Sequence, residues 1–477
     1  MRPIRLSGAF ALLLCLAASP AMSQAAPPAT RPGATAVAAS DTTATARIIR
    51  EIAANQRAMT DLAWLTYDIG PRLTGSDRLV RAHAWAESTL TARGAANVHR
   101  EAYPFGRSWT RGPATARFLT QNGDPITLAA LGWSKPTPGP VKGDVLMVTG
   151  KTATDLEKYF GRFKGRIVIY GDMPPWDADS LNLVAVRNRL AVAIRDEGAI
   201  AFLASAGKRE GLTMTGGPEW RLGTWAPQVP FAFVSTKDFA AIRQAAGTGA
   251  RVTLEINLPS TTSAAPVQAY NTIADIPGTD LANEMVIIGA HIDSWDLGTG
   301  ATDDGTGVVA VIEALRAIQA TGLKPRRTIR VALFSGEEQG HWGSKAYVKA
   351  HQAEMPSVQA VLVLDLGTGK VRGWALQGRE DSRGPMGEAI APLNDLGVVE
   401  LPLERSGDSD HASFTDVGVP GFFAVQEQLD YFTITHHSQF DTYDRVDQAQ
   451  LIQATTALTV TAWELANMTE RLPHGMR

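Results

Sequence analysis

From residue 284 onward the sequence alternates short β-branched runs with amphipathic stretches, and no other feature limits the fold as tightly. Glu284-Met-Val-Ile-Ile-Gly-Ala290 reads as a buried strand, 307–320 as an amphipathic helix and Arg327-Thr-Ile-Arg-Val-Ala-Leu-Phe334 as the next strand. A helix near 343–353, the strand Val358-Gln-Ala-Val-Leu-Val-Leu364 and a helix near 384–395 follow. The strand Pro420-Gly-Phe-Phe-Ala-Val425 and a final helix over about 447–470 complete the series. Near-continuous apolar strands separated by helices predict an α/β domain with a mixed, largely parallel central sheet flanked by helices.

Upstream the texture changes twice. Residues 44–66 and 77–93 carry apolar side chains at helical spacing around the loop Asp68-Ile-Gly-Pro-Arg72. Between about 113 and 260 come short runs broken by Gly and Pro, such as Gly165-Arg-Ile-Val-Ile-Tyr170 and Pro230-Phe-Ala-Phe-Val234, with helical patterns near 184–197 and 236–246. This stretch reads as a compact β-rich domain inserted into the chain. The N-terminus reads as a secretory signal over 1–23, with Arg2 and Arg5 before the apolar run Ala9 to Ala18 and a small-residue cleavage site at Ala21-Met22-Ser23. A disordered lead-in over 24–43 follows, rich in Ala, Pro, Thr and Ser. The expected boundaries are therefore 44–112 for the first part of the α/β domain, 113–262 for the insertion and 263–477 for the remainder. An exported chain, periplasmic or secreted, is expected; its only cysteine, Cys15, lies inside the leader, so the mature chain has no disulfide.

Composition excludes two classes. With 45 basic against 48 acidic residues the chain lacks the basic excess of a nucleic-acid binder. No run of about 20 apolar residues follows the leader, so no membrane span is expected in the mature chain.

In open α/β sheets ligands bind beyond the carboxyl ends of the strands. Here those ends hold Gly289-Ala-His291-Ile-Asp293, Asp303-Asp304 in the following loop, Ser335-Gly-Glu337-Glu338, Asp365, and His436-His437-Ser-Gln-Phe-Asp441. Each group alone has an ordinary reading as a turn, a helix cap or a surface loop. Together they place a carboxylate or imidazole on five successive connections, and buried charges of that kind need partners or a metal. Nitrogen and oxygen donors without thiolates suit zinc, with cobalt or manganese possible. A two-metal site needs one bridging carboxylate and terminal ligands for each ion. His291 and Asp293, two apart on extended chain, face the same side, so Asp293 can orient a ligating His291. Glu337 and Glu338 diverge, so one can bind metal and the other can act as general base towards a water.

At these residues the sequence resembles the M28 family of zinc peptidases. The matching pieces are Gly289-Ala-His291-Ile-Asp293-Ser294, Gly300-Ala-Thr-Asp303-Asp304-Gly-Thr-Gly307, Phe334-Ser-Gly-Glu337-Glu338-Gln-Gly340, Val363-Leu-Asp365 and His437-Ser-Gln-Phe-Asp441-Thr442. Ile69-Gly-Pro-Arg72-Leu-Thr-Gly-Ser76 resembles the family's segment ahead of the peptidase sheet, and the β-rich insertion resembles a protease-associated domain. The resemblance implies two zinc ions: Asp303 bridging, His291 and Asp365 on one, Glu338 and His437 on the other. It further implies Glu337 as general base and Asp293 as orienter. Asp408, Asp410 and His411 fall where the family carries a segment lining the substrate cleft, and His341 departs from the usual aliphatic residue after Glu-Glu-x-Gly. The implied activity is an exopeptidase removing N-terminal residues from peptides or splitting dipeptides by a two-metal, bridging-water mechanism, and a homodimer is the partner to test for. A carboxypeptidase Q-like dipeptidase and a glutaminyl cyclase on the same fold are the alternatives.

Overall fold

The computed structural model describes residues 43–475 apart from 121–122, 153, 172–180, 210, 218–228 and 406–407. The signal expected over 1–23, and the lead-in up to residue 42, lie outside the described residues.

The strand–helix rhythm builds a seven-stranded sheet in the order Ala96–Gly106, Val267–Ile276, Arg327–Phe334, Leu281–His291, Val358–Val363, Gly421–Gln426, Val371–Ala375. The parallel pairings are confined to the four central strands. The outer three strands join antiparallel, so the sheet is mixed with a parallel centre. Both faces are covered. Helices Ala44–Asn55, Thr306–Thr321 and Gln448–Asn467 bury an apolar cluster with one face of the sheet. Helix Trp342–Ala350 and the short helix His411–Thr415 pack Tyr347, Val348 and Phe414 onto the other. Thr306–Thr321 is apolar around most of its circumference because it lies sandwiched between the sheet and other helices.

A second seven-stranded sheet, with its own apolar clusters, runs in the order Thr115–Phe118, Thr253–Asn257, Val141–Val148, Arg166–Tyr170, Ala201–Ser205, Phe231–Val234, Leu128–Ala130. The chain leaves for it and returns from it through one antiparallel ribbon, Trp109–Arg111 paired with Ser260–Thr262.

At the end of helix Trp342–Ala350, His351 ties that helix to the edge strand: its Nε2 lies 2.8 Å from Glu101 Oε1 and its Nδ1 3.0 Å from Glu354 Oε1. Burial lowers its pKa, but Glu354 and Glu101 outweigh burial and raise it above the ordinary imidazole value. A raised folded-state pKa means the protonated ring stabilises the fold. That contribution is fully present below the unfolded value of about 6.5 and is lost as pH rises through the folded one. His351→Gln should therefore cost most stability near about pH 5.5, with the difference from wild type shrinking towards alkaline pH in paired urea titrations.

Candidate metal centre

The parallel register does the first part of the assembly. His291 pairs with Phe334 at the carboxyl ends of adjacent strands, so His291 and the segment Ser335-Gly-Glu337-Glu338 emerge side by side. Asp365 follows the next strand along, and His437 lies on the connection after Gly421–Gln426. Asp303 comes from the loop ahead of helix Thr306–Thr321 and is joined to Asp304 by a cis peptide bond.

Asp303 lies at the centre. Its Oδ1 is 3.3 Å from His291 Nε2 and its Oδ2 is 3.4 Å from His437 Nε2. Each imidazole has a second carboxylate of its own: Asp365 Oδ1 is 3.4 Å from His291 Nε2, and Glu338 Oε2 is 3.0 Å from His437 Nε2. His291, Asp303 and Asp365 offer donor atoms all within 4.8 Å of one another. His291 Nε2, Asp303 Oδ2, Glu338 Oε1 and Asp365 Oδ1 are buried with no hydrogen-bond partner among the described residues. So many unpaired polar atoms turned inward are costly, and divalent cations with an affinity for nitrogen and oxygen would satisfy them. The residues present fit a metal.

The members of each adjacent pair have different surroundings. Asp304 accepts from the backbone N–H groups of His291 at 3.3 Å and Gly307 at 3.0 Å, which occupies its carboxylate with the backbone of the strand end and of the following helix's first turn. His436 stacks on His437 with ring centroids 3.8 Å apart. It groups with Asp303 and His437 within 4.8 Å, but His437 is the ring that touches both Asp303 and Glu338. Asp293 stands behind His291. His291 Nδ1 lies 3.1 Å from the Asp293 carbonyl and 3.6 Å from its Oδ1, and Thr74 Oγ1 donates to Asp293 Oδ2 at 2.6 Å. With Nδ1 directed at the Asp293 carbonyl, His291 Nε2 is the nitrogen presented to the cluster.

Charge and burial set the protonation. Burial alone would raise the Asp303 carboxyl, but the flanking His291 and His437 hold it well below the usual carboxylate range. Burial lowers His437 to about 4, leaving a neutral ring able to ligate. Burial would lower His291 too; Asp365, together with the carboxylates of Asp293 and Asp303, raises it instead. Burial, and then the neighbouring acids, push Glu337 and Glu338 well up.

Glu337 diverges from Glu338, and its Oε1 lies 3.0 Å from His341 Nε2. His341 Nε2 is in turn 3.7 Å from Asp408 Oδ1, so Asp408 reaches the rim through His341. Asp410 is buried, and burial followed by the charge of Glu337 pushes it up to about 7. The His411 ring packs on Phe423 with centroids 5.1 Å apart.

One residue in the centre's support carried no role in the sequence. Arg72 is fully buried, and its guanidinium donates to the carbonyls of Ile292 at 2.8 Å, Thr299 at 2.7 Å and Gly300 at 2.8 Å. It thus fastens the loop after His291 to the loop before Asp303. Burial lowers its pKa to about 10, so it stays cationic at neutral pH, with Asp441 and Asp293 favouring the charge. The only signal was a charged residue inside the segment Ile69 to Ser76.

Residues 271–462 match the model of peptidase family M28. Carboxypeptidase Q of Bos taurus is 31% identical over 427 residues, covering 88% of each chain, and the Homo sapiens protein is 30% identical with the same coverage. A crystal structure of a peptidase M28 precursor from Shewanella amazonensis superposes with a TM-score of 0.80 at 29% identity, covering 91% of this chain and 98% of that one. A zinc aminopeptidase from Bacillus subtilis shares the fold, with a TM-score of 0.64 at 19% identity over 87% of this chain and 98% of its own.

Proposed function

The chain belongs to peptidase family M28 and is a metallo-exopeptidase, and we propose that it binds two zinc ions and hydrolyses short peptides with free ends, dipeptides foremost. The observation that carries this reading is the double-sided environment of Asp303: each carboxylate oxygen faces a different imidazole, and each imidazole has its own further acid. His291, Asp303 and Asp365 would hold one ion, and Asp303, Glu338 and His437 the other. Bound there, the ions supply Lewis-acid polarisation of the scissile carbonyl and lower the pKa of a water to about 7. Glu337 does the proton work: its carboxylate takes the proton of the attacking water and delivers it to the departing amine. His341, at 3.0 Å from Glu337 Oε1, orients that carboxylate.

In a dipeptide the single peptide bond is both the first and the last. The aminopeptidase and carboxypeptidase readings therefore coincide on that substrate, and a likeness to carboxypeptidase Q that extends over both sheets supports it. The reading includes export by the leader over 1–23 and treats 113–262 as an inserted domain. The paired ribbon at 109–111 and 260–262, through which both ends pass, supports the insertion. Among the described residues no helix is long and apolar enough to cross a membrane.

The deciding experiment is metal analysis beside a substrate panel. Two zinc equivalents per chain are expected. Chelation should lower dipeptide hydrolysis by about 100-fold or more, with recovery on adding zinc. The free dipeptide should be cleaved, its N-acetyl form spared and an aminoacyl anilide cleaved at least about tenfold more slowly, a difference of about 1.4 kcal/mol in transition-state binding. An anilide cleaved as fast as the dipeptide would assign an aminopeptidase. One ion per chain with no hydrolysis would point to the cyclase alternative.

A further inference from the structure

The two halves of the metal centre are held in different ways. His291 ends a central strand and Asp365 follows the next one, so the large sheet places both. His437 lies on a long connection, with φ at +59°, a backbone region that non-glycine residues seldom occupy and that the surroundings must impose. The segment around 213–217, which belongs to the second sheet's stretch of chain, supplies those surroundings. Thr215 N–H donates to the His437 carbonyl at 2.9 Å, Met214 bridges to Ser438 in antiparallel fashion, and Thr213 N–H donates to Gln439 Oε1 at 3.1 Å.

A second contact meets the ring itself. Trp295, two residues beyond Asp293, sets its indole edgewise to His437 with centroids 5.8 Å apart. That indole packs so closely on Gly132 and Gly217 that a Cβ would stand 2.7 Å and 3.0 Å from it. Arg111, on the outgoing strand of the ribbon, fastens the arrangement. It grips Asp296 through two nitrogens at 2.9 and 2.7 Å and donates to Thr215 Oγ1 at 2.8 Å and to the Ala130 carbonyl.

We propose that the inserted stretch completes the metal centre: segment 213–217, locked by Arg111, positions His437, so the ion between Asp303, Glu338 and His437 depends on it, whereas the ion between His291, Asp303 and Asp365 does not. This inference rests on the two-ion reading above. Arg111, Thr215 and Trp295 are positioning residues, acting through His437.

The test is zinc stoichiometry and affinity of the full chain, by elemental analysis and by competition with a chromophoric chelator. Wild type is compared with Arg111→Met, Thr215→Pro (which removes the N–H donor), His437→Ala and His291→Ala. The expected result is one zinc at wild-type affinity in Arg111→Met and Thr215→Pro, with the second weakened about tenfold or more, as in His437→Ala and unlike His291→Ala. Two zinc ions held at wild-type affinity, or both ions lost in parallel, would overturn the inference. If Thr215→Pro fails to fold by circular dichroism, Arg111→Met decides. A wild-type chain that binds a single ion overturns the two-ion reading itself, and is told apart because it is seen before any variant is measured.

Discussion

Glu337→Gln is expected to lower kcat on a dipeptide by about 10²–10⁴-fold, while zinc content and KM stay near wild type. The substitution keeps the side chain's shape and removes only its capacity to take a proton. Glu337 pairs with His341 at 3.0 Å, whereas Glu338, one residue on, lies 3.0 Å from His437 Nε2. Glu338→Gln should therefore lose metal and activity together, and the contrast between adjacent residues separates proton transfer from ligation. A Glu337→Gln enzyme within a few-fold of wild type would remove Glu337 from the reaction.

The second large effect is on stability. Arg72→Met is expected to cost about 3–5 kcal/mol, read as a lowered urea midpoint at unchanged slope. Methionine fills much of the volume but offers no donors, so the buried carbonyls of Ile292, Thr299 and Gly300 lose their partner. The acids nearby, Asp441 and Asp293 foremost, also lose the cation that offsets their mutual repulsion. Arg72→Lys should recover only part, because one ammonium cannot span three carbonyls as the planar fork does. A change within about 0.5 kcal/mol would show that the guanidinium is dispensable.

The central strands and covering helices were legible because apolar periodicity records burial. Helix Thr306–Thr321 and strand Arg327–Phe334 lie where the pattern puts them. Three sheet strands were not legible. Ala96–Gly106 mixes charged and polar residues because it is an edge strand covered on one side. Val267–Ile276 contains Asn271 and Asp275, whose partners, Gly343 and Arg330, lie far along the chain. Val371–Ala375, the other edge, is only five residues long. For the site, the residue types at the strand ends pointed to metal chemistry, but the choice within each adjacent pair turned on details that only folding reveals. Asp304 is bound to backbone N–H groups of His291 and Gly307, and His437 sits at a positive φ. Arg72 left no pattern because it bonds to carbonyls, which every residue carries.

The narrow ribbon at 109–111 and 260–262 has a consequence for descent. A module joined at one point can be gained, lost or traded between lineages without disturbing the sheet beneath it, since rejoining two neighbouring strands needs only a short turn. Here segment 213–217 of that stretch rests against the loop bearing His437. Inheritance is therefore joint: a lineage that swaps the module must also remake that loop, and the two should diverge in step.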